Sequence, residues 1–128
     1  IQEHLARERR LHGVYGASFY LYEDYGRELF KAAYSRIPQQ AVTDKTKKVI
    51  LWIQEFIWDC FVVGEAHDAV LLLCPERKVD DYVGRVREEF EIPIDFSDCS
   101  LSRGPLVIPT DVELGYNYEN LQKYKLAA

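Results

Sequence analysis

Apolar and polar residues change their spacing several times along the chain, and each change predicts an element. Arg10 to Tyr15 and Ala17 to Tyr22 are short apolar-aromatic runs broken near Gly16, which predicts a β-hairpin. Tyr25 and Gly26 open a long helical pattern. Leu29, Phe30, Ala33, Tyr34 and Ile37 recur at steps of three and four, as do Val49, Ile50, Ile53, Phe56 and Ile57 further on. Pro38 removes a backbone donor within it, so a kink or restart is expected there. Thr43, Asp44 and Thr46 are candidate caps for a second segment. Cys60 to Ala66 and Ala69 to Cys74 are strand-like runs separated only by His67 and Asp68, which predicts a tight hairpin with both polar residues at its tip. Pro75 ends the second run. Val79, Tyr82, Val83, Val86 and Phe90 then mark an amphipathic helix that stops before Pro93. Val112, Leu114, Tyr116 and Tyr118 alternate as a half-buried strand does. The order β-β-α-β-β-α-β with antiparallel hairpins predicts an α+β fold, a sheet backed by two or three helices, with no linker dividing residues 1–128.

Composition narrows the setting. The longest apolar run, Ala69 to Cys74, is strand length, well short of the ~20 residues of a membrane span, so no membrane partner is expected. The first residues lack the basic and apolar regions of a signal peptide, and they lack an initiator Met, so the chain reads as a piece of a longer one. Cys60, Cys74 and Cys99 are odd in number and without C-x-x-C spacing, which predicts a reduced, intracellular protein rather than a disulfide framework or a zinc site. His4 and His12 have no partners at ligand spacing. The net charge of −5 speaks against a simple basic DNA-binding module. The charge is uneven: residues 1–58 hold nine Lys/Arg against seven Asp/Glu, residues 59–128 seven against fourteen. The cluster Lys45, Lys47, Lys48 reads as a solvated helix face. Tyr34, Tyr82 and Tyr116 stand at core spacing, and Trp52 and Trp58 read as core or interface residues.

The His67-Asp68 tip carries the chemistry of interest. An Asp in a tight turn commonly bonds its own backbone, and from the dipeptide alone that is the ordinary reading. A carboxylate on the rigid base of two hydrophobic strands is also well placed to meet a hard cation such as Mg²⁺, which takes a few carboxylate oxygens together with substrate phosphates.

The neighbouring residues shift the balance. Ala66-His67-Asp68-Ala69-Val70-Leu71-Leu72-Leu73-Cys74-Pro75 resembles motif C of family A DNA polymerases, a strand, His-Asp and strand ending in Pro before a helix. Ala33 to Asp44, with Ile37-Pro38-Gln39-Gln40-Ala41-Val42-Thr43-Asp44, is similar to the helix before motif C in phage-type members. Ile108 to Tyr118 resembles the closing strand of the same palm. The three blocks stand in the family's order across roughly residues 10–122. The resemblance implies the C-terminal portion of a palm-type antiparallel sheet, with fingers, thumb and the rest of the palm outside this chain. It implies DNA-directed DNA polymerase activity, template-directed addition of a dNTP to a primer 3′-hydroxyl by two-metal transfer, in a bacterial or phage-infected cytoplasm. Asp68 would be a catalytic Mg²⁺ ligand, and His67 would lie by the primer-terminal nucleotide. Gln39 would face the minor groove of the primer–template, where acceptors are nearly the same for every pair. Ser35 stands where bacterial members often carry a DNA-facing Asn.

The sequence departs from the family at named places. Ala69 stands where motif C usually has Glu, and Gly16-Ala17 where the earlier hairpin commonly has Gly-Arg, leaving Arg9 or Arg10 for phosphate contact. Neither Asp24-Tyr25-Gly26-Arg27-Glu28 nor Gly13-Val14-Tyr15-Gly16 has the spacing of motif A or motif B. The second metal carboxylate is therefore expected in the remainder of a longer chain, and these residues alone should be inactive. Two other functions compete. A His-Asp phosphohydrolase would need the pair on a helix with further His and Asp ligands. A non-catalytic nucleic-acid-binding or interaction module on a ferredoxin-like sheet would need exposed sheet aromatics and a basic face.

Overall fold

A computed structural model describes residues 2–95 and 105–124. Its elements are α1 (Gln2–Arg7), β1 (Arg10–His12), β2 (Ser18–Tyr20), α2 (Arg27–Phe56), β3 (Phe61–Ala66), β4 (Ala69–Leu73), a 3₁₀ turn at Glu76–Lys78, α3 (Val79–Phe90), β5 (Glu113–Leu114) and β6 (Gln122–Lys123). The class is α+β, with every strand pair antiparallel. The pairing is divided among three two-stranded sheets, β1–β2, β3–β4 and β5–β6. Among the described residues no helix is long and apolar enough to cross a membrane.

The chain forms two compact units, one of Ile1–Lys47 with Pro93–Leu106 and one of Lys48–Ile92 with Val107–Ala128. In the first, β1 and β2 pair from Arg10↔Tyr20 to His12↔Ser18. Gly13 N–H bonds the Ala17 carbonyl at 2.8 Å, and Gly16 takes φ +86° in the turn, a conformation that needs no Cβ. Arg36 on α2 lies over the Phe19 ring of β2, 5.8 Å from its centroid. Among the described residues of this unit, Leu5, Leu11, Leu21, Leu29, Ala33, Ile37, Ala41 and Ile94 are the buried apolar ones. Ile94 and Leu106 form an isolated antiparallel bridge with bonds of 2.8 and 2.9 Å. In the second unit, Val49, Ile53, Ile57, Cys60, Tyr82 and Val86 form one buried cluster. Trp52, Val62, Leu72, Cys74 and Phe90 pack against it.

Helix α2 passes through Pro38 without a break, so the expected restart does not occur there. Pro38 is solvent-exposed, so the carbonyl that loses a donor to the ring can turn to water. Thr43 and Thr46 are correspondingly not caps. Their hydroxyls donate to the carbonyls of Gln39 and Val42, each at 3.0 Å, one turn back within the helix. Buried positions on α2 recur every four residues, at Leu29, Ala33, Ile37, Ala41, Lys45, Val49 and Ile53. Each step of four overshoots a 3.6-residue turn by about 40°, so the buried stripe winds around the helix rather than running along one face. That winding carries Lys45 to 8% exposure, and it is not part of a solvated lysine face, although Lys47 and Lys48 are exposed.

Candidate functional site

The predicted tip exists as a two-residue turn. Ala66 pairs with Ala69 as the last rung of β3–β4, and His67 and Asp68 stand beyond it, both exposed to solvent. The strands are continuous with a packed base, because Val62 and Leu72 press on the cluster built by the C-terminal half of α2 and by α3. Exposed backbone at a tip would ordinarily be mobile, and here two strands anchored on helices hold it.

The base is closed by polar groups that the sequence reading missed. Asp59, just before β3, accepts a 2.6 Å hydrogen bond from Lys78 Nζ and another from the Tyr82 hydroxyl. Lys78 Nζ also lies 3.3 Å from the Tyr82 hydroxyl and over the Trp58 ring, 5.9 Å from its centroid. The Lys78 hydrogen bond, with that from Tyr82, holds the Asp59 carboxyl below the usual carboxylate range. The bond to Asp59 raises both Lys78 and Tyr82. The visible signal was the helical i, i+4 spacing of Lys78 and Tyr82. Nothing in the sequence paired either with Asp59.

A bulge between Val62 and Gly64 shifts the β3–β4 register by one residue. Below it Val62 faces Leu72 and Phe61 faces Leu73, and the same register carried one step past the strands sets Cys60 against Cys74, both free thiols. Burial, with Cys74 and Asp59 beside it, pushes the Cys60 thiol up to about 11. Burial also raises Cys74. On the opposite face of the hairpin, Phe61 and Leu73 are 61% and 62% exposed.

The remaining candidates lie in the first unit. Ser35 and Gln39 are exposed one helical turn apart on α2, with Ser35 Oγ donating to the Ala32 carbonyl at 3.2 Å. Arg10 in β1 is 3.7 Å from Glu8, and Arg9 donates to the Glu23 carbonyl at 2.7 Å. The structure thus brings His67 to Asp68, and Ser35 to Gln39. Cys99 and the side chain of His4 lie outside the described residues. Among the described residues no group of three His, Cys, Asp or Glu side chains is arranged to hold a metal ion. The exposed Asp68 carboxylate fits Mg²⁺ only as one ligand of a shared site.

The closing segment differs from its expected form. Only Glu113 and Leu114 are strand, paired with Lys123 and Gln122. Tyr116 is 90% exposed and donates to Glu76, while Tyr124 donates to Asp80. Neither Tyr116 nor Tyr34 is a packing residue, and Trp58 is 82% exposed; Tyr82 is in the core. Glu91, at the end of α3, accepts from Thr110 N–H at 3.0 Å and Arg87 Nε at 3.1 Å, and these bonds depress its carboxyl.

Comparison with protein-family models, curated proteins and solved structures gives no match.

Proposed function

We propose that the chain is the C-terminal part of the palm of a family A, phage-type DNA polymerase, and that Asp68 is one of the carboxylates that hold catalytic Mg²⁺. The reading rests above all on the hairpin: His-Asp exposed at a two-residue turn, two hydrophobic strands, then Pro75 and an amphipathic helix. Asp68 is exposed, as a metal ligand shared with substrate has to be, whereas a buried and paired Asp68 would favour a non-catalytic interaction module. His67 would meet the primer terminus, and Ser35, Gln39 and Arg10 would meet primer–template DNA. Bound Mg²⁺ would supply electrostatic stabilisation to the dNTP phosphates. The contribution of this chain is to fix one carboxylate on a hairpin that the Asp59–Lys78–Tyr82 contacts brace at its base. A second carboxylate has to come from the rest of the polymerase.

In the full-length parent, Asp68→Asn is expected to abolish primer extension while leaving primer–template affinity intact. Wild-type extension by that variant would remove Asp68 from the metal site. The 128 residues alone are expected not to extend a primer with Mg²⁺.

A second reading draws on the exposed Phe61–Leu73 pair, which suits an interaction module. It predicts that Phe61→Ala weakens partner or nucleic-acid binding and that Asp68→Asn has no effect.

A further inference from the structure

Cys60 and Cys74 bracket the β3–β4 hairpin at its base, on the face that packs against the helices. Their opposition follows from the bulged register, since they stand one rung beyond Phe61↔Leu73. Directly opposed residues of an antiparallel pair place their Cβ atoms about 4.5–5.5 Å apart. A disulfide needs about 3.5–4.5 Å, so a small closure of the strands suffices. Both side chains also pack in the one apolar cluster between the hairpin and the helices. Buried cysteines are often plain packing residues. Two set against each other one rung beyond a paired strand, in the same cluster, have a reaction open to them that a lone packing residue lacks.

We propose that Cys60 and Cys74 form an oxidisable cross-strand pair, which a hydroperoxide converts into a disulfide closing the base of the hairpin. Cys74 is only half-buried whereas Cys60 is 6% exposed, so a small oxidant reaches Cys74 first. The Cys74 thiol first loses its proton, which burial makes harder, so the reaction quickens as pH rises. The thiolate then attacks hydrogen peroxide, the O–O bond breaks, and the departing hydroxide takes up that proton as water, leaving a sulfenic acid. Cys60 sulfur then attacks that sulfur. The S–S bond forms, the S–O bond breaks, and a second water leaves with the Cys60 proton. Two thiols are oxidised by two electrons and one peroxide is reduced. Thiol reductants reverse the reaction. The bond would tie Asp59 and β3 to the start of the Glu76–Lys78 turn, making the hairpin that carries His67 and Asp68 a redox-dependent element.

The test exposes the full, folded chain to hydrogen peroxide, quenches with an alkylating agent and maps peptides without reduction. The expected product is a single intramolecular link between the peptides of Cys60 and Cys74, with loss of two hydrogens. Dithiothreitol should reverse it, Cys99→Ser should not diminish it, and it should come with a raised melting temperature. In denaturant all three pairings of Cys60, Cys74 and Cys99 should appear. Cys60→Ser should stop at sulfenic or sulfinic acid on Cys74. The same mixture of links in native and denatured protein would overturn the proposal. So would over-oxidation of Cys74 in the native wild type without a link to Cys60, or no link at all under conditions that oxidise the denatured chain.

Discussion

The β3–β4 hairpin and the segment from Val112 to Tyr118 both read as strand in the sequence, yet only the first is built into a core. In β3–β4 each strand finds its partner across a two-residue turn, and Val62 and Leu72 are covered by residues of α2 and α3. The closing segment has a two-residue strand paired with another two-residue strand, and Tyr116 and Tyr124 reach carboxylates on the Glu76–Lys78 turn and on α3 through their hydroxyls. Alternation states which side chains could face a core. It does not supply the core.

The contrast can be broken or sharpened by substitution. The largest effect is expected beneath the hairpin. Ile53 is fully buried in the cluster under β3–β4, so Ile53→Ala should cost about 2–5 kcal/mol in denaturant unfolding. A loss below 1 kcal/mol would mean that the base is not packed as described. In the closing segment the sensitive position is a glycine, not an apolar residue. A Cβ on Gly115 would come within 2.5 Å of the Asn120 carbonyl oxygen, so the turn to β6 must move to admit one. Gly115→Ala should cost about 1–3 kcal/mol, with amide-exchange changes confined to residues near β5 and β6. Spread of those changes into β3–β4 would show the two regions to be one cooperative element.

A pH series separates the regions by a different route. The Asp59 carboxyl titrates below its ordinary 3.8 because Lys78 and Tyr82 donate to it. Its contribution to stability is therefore complete above that ordinary value and is lost as pH falls through the lower folded value. Melting temperature should drop over this acid range, and Asp59→Asn should flatten that part of the profile. An unchanged acid limb in the variant would show that the contacts at the hairpin base do not contribute. The smallest effect is expected for Tyr116→Phe, which removes one exposed hydroxyl bond to Glu76 and should leave the melting temperature within error of wild type.

The elements legible in the sequence were those that carry their own punctuation. The His67-Asp68 turn, Pro75 and the periodicity of Val79, Tyr82, Val83, Val86 and Phe90 located β3, β4 and α3 to within a residue. The His67-Asp68 tip was found from its sequence neighbours. Pro38 misled only as a restart, because an exposed carbonyl that loses its donor can bond water and the helix can run on, which period alone does not state. The lysine cluster misled for the related reason that a four-residue stripe winds, burying Lys45 and exposing Lys47 and Lys48.

What the sequence determined by itself is local: the two-residue turn that exposes Asp68, and the strands and helices whose order makes the chain α+β. What the tertiary structure decided is who faces whom. Without the bulge after Val62, the Ala66↔Ala69 register would set Cys60 opposite Pro75. With it, Cys60 meets Cys74, and Phe61 and Leu73 share the outward rung. Asp59 likewise gains Lys78 and Tyr82 only once the chain has returned through β4 into α3. The two-residue turn fixes the register from Ala66↔Ala69 to Gly64↔Leu71, and the bulge, with Val62 and Leu72 packed on the helices, fixes it beyond.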